Sequence, residues 1–284
     1  MTKRVKRTAG IAGIAILLGG SFLLARYGVF YQRHAFEKLN AAIEVEQKIA
    51  ASRLNTLTTS FLEIQPSSLS HYFHRWRLMS ANGPIDGAAL SNDLAVAFDA
   101  SRQREMFPRS PYFIEPLEGG FVVRLYSEHN KKIGYEYESH TDEFLATCAA
   151  IKVPLEQSLR LTDRTISLRD VLDTSRGRFV PDQDLEWTTE AYTSYLPNEP
   201  RWKNRFGDEC SYNQILERLL SVPLENRSCF GTHVPLAVSA ILRADDSSRF
   251  LSRVERKHGE DYLRSVSVAL EQNHAHSRSF SRPL

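Results

Sequence analysis

Four side chains in the C-terminal half of the chain have the types and positions that proton-transfer chemistry requires. Asp142, Glu186, Glu190 and His233 each stand at or near the start of a helical segment rich in small residues. A pair of carboxyls, such as Asp142 or Glu186 with Glu190, can act as general acid and base in glycoside hydrolysis or in lyase chemistry. Carboxylates at a helix start also simply stabilise the helix, and the spacing fixes no distance between them, so both interpretations stay open.

Cys229 and His233 form a second candidate pair. They stand four residues apart, one helical turn, so both side chains can reach one metal ion from the same face. A zinc site needs two more ligands, and the spacing singles out none. The sequence favours a packed cysteine beside a capping or hydrogen-bonding histidine. We therefore expect neither a metal nor another cofactor.

Three helices with small residues must position these side chains. They begin near Asp142, Trp187 and His233, at a period of about 45 residues that is typical of helical-hairpin repeats. Alanines fall together in their alignment: Ala146, Ala191 and Ala237. Chance similarity among amphipathic helices is the alternative. If the alignment holds, the candidate side chains share one rim at the helix N-termini with His140, Cys229 and Thr232.

A helix with an N-terminal capping signal follows each of the first two small-residue helices. Ser167 precedes Asp170 by three residues, and Ser211 precedes Gln214 by three. Ser-x-x-Gln is a capping box, and Ser-x-x-Asp is its shorter-armed version. A third partner helix is expected at residues 249–272. Small residues let helices approach closely, so the small-residue helices suit the inner wall of a curved array and the capped helices suit its outside.

This alternation, with Glu-Trp-Thr at residues 186–188 and Ser-Cys-Phe-Gly-Thr-His-Val at residues 228–234, resembles the α/α-toroid architecture. That group includes terpenoid cyclases, protein prenyltransferase β-subunits and several polysaccharide-degrading enzymes. The resemblance covers residues 140–272 and implies a mainly α fold, a partial and open α/α-toroid-like array. It assigns no catalytic residue, because the acid motif, the Gln-Trp repeat and the zinc pattern of those enzymes do not occur in the chain.

The N-terminal segment predicts the compartment. An uncharged apolar run over residues 8–25 follows four basic residues, and no acidic residue precedes Glu37. This pattern is typical of one membrane-spanning helix whose N-terminus is cytoplasmic. A cleaved signal peptide would need a small-x-small site, and a buried soluble helix would need a polar face. We expect residues 1–33 to be the cytoplasmic tip and anchor, with the remainder extracytoplasmic, or periplasmic in a bacterium.

The remaining chain divides into three predicted parts. Apolar residues recur at sevens over residues 34–65, which favours a stalk helix that packs on its own domain or on a second copy. Residues 66–272 form the helical domain, with a small β-hairpin from residues 121–126 and 133–138. The aromatic and basic run at residues 71–77 is either core or a contact with lipid headgroups. Residues 273–284 are expected to be disordered.

Charge excludes one class of partner. Residues 1–33 hold six of the 36 Lys and Arg and none of the 34 Asp and Glu, so the outward part is mildly acidic and unsuited to nucleic acid. The absence of a known catalytic motif favours a non-catalytic binding module that presents a concave helical surface to a protein or an extended polymer. The alternatives are a membrane-anchored carbohydrate- or lipid-active enzyme that uses the inner-helix rim, and a spacer that associates through the stalk.

Overall fold

A computed structural model describes residues 68–81, 94–118, 120–125, 138, 140–222 and 232–280. All of them belong to the second of two compact units of the chain, Ile64–Leu284. This unit is mainly helical with small antiparallel β-hairpins, as the sequence predicts. The predicted anchor and stalk lie outside the described residues. Within the described ranges, no helix has both the length and the hydropathy needed to cross a membrane.

Helices and short strands alternate along the unit. In chain order they are α1 (Leu69–Ala81), α2 (Ala100–Met106), β1 (Ile114–Leu117), β2 (Gly120–Val123), α3 (Glu143–Ala150), β3 (Ser158–Arg160), β4 (Thr165–Ser167), α4 (Leu168–Arg178), α5 (Leu185–Tyr195), β5 (Arg201–Lys203), β6 (Glu209–Ser211), α6 (Tyr212–Ser221), α7 (Val234–Ser248) and α8 (Arg253–Phe280). The strands pair as β1–β2, β3–β4 and β5–β6, each pair forming a separate two-stranded antiparallel sheet.

Four helices form the inner row that positions the candidate site. α1 packs on α3, α3 on α5, and α5 on α7. The alanines that the repeat aligns, Ala146, Ala191 and Ala237, are all buried, which allows the helices to approach closely. A second layer packs against this row: α6 contacts both α5 and α7, and α8 contacts α7 and α6. The predicted small-residue helices and capped helices are therefore present in the expected order.

Aromatic side chains fill the core beside the inner row. The Phe144 ring of α3 lies 5.6 Å from Phe73 and 5.2 Å from Phe113. Phe73 and Trp76 are fully buried, so the aromatic part of the 71–77 run is core rather than a surface for lipid headgroups. These contacts fix α1 against α3, and they leave the polar residues of α1 at the side of α3 and α5.

The β-hairpins include pairings that the sequence did not predict. β2 pairs with the preceding strand β1, in a register from Ile114↔Val123 to Leu117↔Gly120. A two-residue connection brings β1 and β2 together at little entropic cost. Of the predicted hairpin, only the ends are described, and they meet at a bridge between Leu125 and Glu138. Pro116 is tolerated because β1 is an edge strand. Residues 126–137 lie outside the described ranges, and β3–β4 and β5–β6 were not predicted.

Two helix boundaries also differ. The sequence predicts one helical stretch over residues 87–104, but the structure interrupts it at Asp99. The Asp99 side chain accepts a hydrogen bond from the Ser101 amide and so caps α2. At the C-terminus, α8 continues to Phe280 and thus into the 273–284 segment that the sequence predicts to be disordered.

Candidate active site at the inner-helix rim

The inner helices begin without side-chain caps of their own. Asp142, Asp184 and His233 are the N-cap residues of α3, α5 and α7, and within the described chain none of these side chains binds an amide of the helix that it precedes. The Phe144 amide of α3 is instead bound by the Glu138 carboxylate, at 2.5 Å. The N-cap side chains are therefore available for other contacts.

Trp187, in the first turn of α5, is the centre of a polar cluster. Its side chain is 2% exposed. The His233 ring centroid lies 4.8 Å from the Trp187 ring, and the His140 ring stacks on it at 5.7 Å. The Arg77 guanidinium lies 4.3 Å from the Trp187 ring centroid. We define the Trp187 cluster as these residues and their carboxylate partners: His74, Arg77, His140, Glu143, Asp184, Trp187, Glu190 and His233.

Three pairs in the cluster join a basic side chain to a carboxylate. They are His140 Nδ1 with Asp184 Oδ2 at 2.9 Å, Arg77 Nη2 with Glu190 Oε2 at 2.6 Å, and His74 Nδ1 with Glu143 Oε1 at 3.2 Å. The arginine contact is a charge-assisted hydrogen bond, which is stronger than a neutral one. The pairs reach from α1 to α3 and α5, so they fix the relative positions of the polar groups along the row.

His140 is arranged to hold a proton. Burial by itself lowers the pKa of the His140 imidazole, yet Asp184 outweighs burial through its hydrogen bond and its charge. The charges of Glu143 and Glu186 act in the same direction, so the pKa of His140 lies above its ordinary value. Because Asp184 accepts from Nδ1, the other ring nitrogen, Nε2, is the one through which His140 can exchange a proton with a ligand.

His233 is arranged to stay neutral. Burial is the main cause that lowers the pKa of its imidazole. Three neighbouring positive charges lower it further, those of His140, Arg77 and His74, while Asp184 opposes them. The His140 and His233 rings are 5.8 Å apart and meet edge to face. Two imidazoles in contact thus have pKa values displaced in opposite directions, the condition under which one serves as acid and the other as base.

The structure brings two of the four predicted catalytic residues into this cluster and places the other two beside it. His233 contacts Trp187 directly, and Glu190 is joined to it through Arg77. The charge of the buried Glu186 acts on the pKa of His140, and the charge of Asp184 acts on the pKa of Asp142. Asp142 has a left-handed backbone, with φ 61°, and its carboxylate accepts hydrogen bonds from hydroxyl groups of α4 and α5.

Sequence reasoning missed three members of the cluster. His74 and Arg77 are three residues apart on one face of α1, and Arg77 lies 113 residues from its partner Glu190. Asp184 carries an ordinary N-cap signal, which conceals its bond to His140. The spacing of His74 and Arg77, polar positions between buried aromatics, is the one signal that could have drawn attention to this face.

Of the predicted metal pair, Cys229 lies outside the described residues and only His233 is described. Thr232, which the sequence places at the same rim, is exposed. Cys148 and Cys210 are buried free thiols. Among the described residues, no group of three or more His, Cys, Asp or Glu side chains is placed to hold a metal ion.

The candidate site is defined by the positions and charges of its side chains. The Trp187 cluster combines buried acids, an acid-oriented histidine and a neutral histidine at the ends of three packed helices. No protein-family model, curated protein or solved structure matches the chain.

Proposed function

We propose that the helical unit is an enzyme whose Trp187 cluster performs general acid–base catalysis on a ligand bound at the inner-helix rim. The observation that supports this is the His140–His233 pair, in which Asp184 orients one ring, while burial and neighbouring positive charges lower the pKa of the other. Placing two imidazoles beside Arg77 costs charge repulsion whenever both rings are protonated. Such arrangements are typical of active sites.

The proposed roles define a reaction class. His233, as the base, accepts a proton from an attacking water, and the water oxygen forms a bond to the substrate carbon. The bond from that carbon to the leaving oxygen breaks, and His140, as the acid, protonates the leaving oxygen. Glycosidic and ester bonds are cleaved in this way. Arg77 and Glu190 then hold the ligand or the catalytic rings in position.

A position of the helical unit at a membrane would limit its substrates to molecules found at that membrane. The N-terminal anchor and the extracytoplasmic position remain predictions from the sequence, and with them the helical unit would work at the outer face of a membrane. Carbohydrate polymers and lipids are the substrates present there. The α/α-toroid-like array is proposed on the same footing, as the frame that lines up the inner helices. Self-association through residues 34–65 also remains a prediction.

A non-catalytic binding module is the second candidate. It is favoured by the completeness of the pairing, since His74, Arg77 and His140 each contact a carboxylate and the Trp187 ring is buried beneath them. A cluster of that kind can also serve as a rigid platform for a protein or polymer partner. The two functions differ in what they require of the histidines, because only catalysis depends on their opposite protonation states.

Histidine titration by NMR on the full chain in detergent micelles tests the proposal. We expect one ring, assigned with His140→Gln, to titrate above the ordinary pKa of 6.5, and another, assigned with His233→Gln, to titrate below it. Asp184→Asn should bring the His140 value down. Equal titration of both rings near 6.5 would remove the basis for the catalytic roles.

Turnover is the second readout. The full chain is screened with chromogenic esters, chromogenic glycosides and soluble polysaccharides. His233→Ala and His140→Ala are each expected to reduce any turnover by about 10² to 10⁴-fold, the usual range for a general acid or base. His258→Ala is the matched control, because His258 is exposed on α8 and outside the cluster. Full turnover by His233→Ala would contradict the proposal, and ligand capture without turnover would favour the binding module.

A further inference from the structure

A polar cavity lies between β2 and α4. Its volume is about 110 Å³, and its lining differs from the Trp187 cluster. One wall is apolar and comes from β2, with Phe121 and Val123. The remaining wall is polar and includes Glu138, Asp142 and Arg178. At about 30 Å³ for each water molecule, the cavity has room for three to four waters, or for one compact molecule.

One part of the cavity lining is acidic. Glu138 is 1% exposed and Asp142 is 7% exposed. Asp142 accepts hydrogen bonds from Ser175 Oγ at 2.7 Å and from Thr188 Oγ1 at 2.6 Å. Burial raises the pKa of both carboxyls, and the charge of Asp142 raises that of Glu138 further. Among the described residues no cation acts on the pKa of either carboxyl. Two neighbouring buried carboxyls are a costly arrangement, which a positively charged group would relieve.

The Arg178 side chain supplies positive charge to the same lining. Its Nη1 atom is buried and has no hydrogen-bond partner among the described residues. A buried guanidinium nitrogen without a partner is unfavourable by about 1 to 3 kcal/mol or more. Because Arg178 also lines the cavity, its positive charge favours an anionic group there.

We propose that this cavity binds a small zwitterion, a molecule that carries an ammonium group and a carboxylate, such as a compact α-amino acid. The ammonium group lies against Glu138 and Asp142, and the carboxylate accepts hydrogen bonds from Arg178. The apolar wall of β2 accommodates the remaining carbon atoms. The volume of about 110 Å³ has room for a molecule the size of glycine or alanine.

Binding is coupled to proton release. An ammonium group beside Glu138 favours the ionised carboxylate, so a proton that the empty cavity retains passes to the buffer when the ligand enters. Nothing in this inference depends on the proposed function, since the cavity and the Trp187 cluster share no residue.

Titration calorimetry on the full chain in detergent micelles tests the inference with four probes: glycine, L-alanine, acetate and methylamine. Glycine and L-alanine are expected to bind at least about tenfold more tightly than acetate or methylamine. Acetate can contact only Arg178, and methylamine can contact only the two carboxylates. The heat of glycine binding should also change between buffers of different ionisation enthalpy. Absence of heat with both amino acids at tens of millimolar, or equal affinity for all four probes, would overturn the inference.

Two variants test the basic side and the acidic side of the cavity separately. Arg178→Met removes the partner of the carboxylate and should weaken glycine at least about tenfold while leaving methylamine unchanged. Glu138→Gln keeps an acceptor for the Phe144 amide but should abolish proton release. Arg169→Met is the matched control on the same helix, because Arg169 is exposed and pairs with Glu156. Unchanged glycine binding in both test variants, with thermal unfolding like wild type, would refute the site.

The outcomes separate this inference from the proposed function. The calorimetry measures glycine binding without turnover and uses no variant of the Trp187 cluster. Glycine binding can therefore be present in a chain whose histidines titrate equally, and absent from one whose histidines titrate apart.

Discussion

The helix N-termini of the domain are of two kinds. α4 and α6 begin after Ser167 and Ser211, and each serine side chain accepts the backbone amide three residues further on. α3, α5 and α7 begin after Asp142, Asp184 and His233, and in the described chain none of these side chains caps its own helix. In α4 and α6, the N-cap side chain binds an amide of its own helix. In α3, α5 and α7, the N-cap side chain instead contacts groups outside its own helix.

Residue type does not explain the difference. Aspartate is among the best N-cap residues, and an unused cap forgoes about 1 kcal/mol. Asp142 instead accepts hydrogen bonds from the hydroxyl groups of Ser175 and Thr188, and Asp184 forms a hydrogen bond with the imidazole of His140. Local rules are usually broken where a chain has another use for the side chain. This is why we place the proposed function at the inner ends and assign stability to the outer ends.

Asp142→Ala is the strongest test of this division, because the Asp142 carboxylate holds α3 to α4 and α5. We expect the free energy of unfolding to fall by about 1 to 3 kcal/mol, since the buried Thr188 hydroxyl and the half-buried Ser175 hydroxyl each lose a carboxylate acceptor. Alanine also tolerates the left-handed conformation at φ 61° poorly. Urea denaturation followed by tryptophan fluorescence measures the change.

Asp142→Asn is the matched control. Asparagine keeps one oxygen acceptor and tolerates a left-handed conformation, so we expect a loss of about 1 kcal/mol. Equal stability of wild type and Asp142→Ala would show that this inner end is not held by its N-cap side chain.

The fold could be predicted where its signals are local. The serines of α4 and α6 and the aligned alanines of the inner helices are local patterns, and each is found where it was predicted. The strands of β3–β4 and β5–β6 have three residues each, too few for an alternating pattern to be recognised. The shorter-armed capping box that the sequence predicts at Ser167 and Asp170 is present with both of its hydrogen bonds.

The candidate site could be predicted only in part, because its contacts are distant in sequence. His233 and Glu190 were found from their places at helix starts. Arg77 reaches Glu190 across more than a hundred residues, and no local pattern encodes that contact. Asp142 was also found from its place at a helix start, but its left-handed φ and its hydrogen bonds with Ser175 and Thr188 have no signature in an Asp-Glu pair.

The buried Glu138, which binds the Phe144 amide in place of a local cap, gives a pH test of the inner ends. Its pKa in the folded state is raised by burial above the ordinary 4.5, so the folded chain binds the proton more tightly than the unfolded chain does. Stability should therefore fall as the pH rises from about 4.5 through the folded pKa, by up to about 1.4 kcal/mol per pH unit.

The variant Glu138→Gln isolates this contribution. Urea midpoints measured between pH 4.5 and 7.5 should show a shallower loss in Glu138→Gln than in wild type, since glutamine does not titrate in this range. Parallel pH profiles for the two proteins would mean that Glu138 ionises in the folded chain as freely as in the unfolded chain.

The N-cap serines of α4 and α6 should contribute less to stability than Asp142 does, and by different amounts. Ser167→Ala is expected to lower stability by about 1 to 1.5 kcal/mol, because Ser167 also donates its own amide to Asp170 at 2.7 Å. Ser211→Ala should lower it by about 0.5 to 1 kcal/mol, since the Gln214 side chain contacts the serine hydroxyl at 3.2 Å instead. Thermal unfolding of the two variants measures the order, and the reverse order would show that the reciprocal bond adds nothing.

The smallest expected effect is at His233, where a cap can be introduced. Serine is a better N-cap than histidine by up to about 1 kcal/mol, but His233→Ser also loses the ring contact with Trp187, worth about 0.5 to 1 kcal/mol. The net change in stability should lie near zero. His233→Ala loses the same contact and gains no cap, so the serine variant should be the more stable of the two by about 1 kcal/mol. Both variants should lose proton transfer equally. A loss of several kcal/mol in both would instead make His233 a structural residue, and the inner ends would then differ from the outer ends only in how they are stabilised.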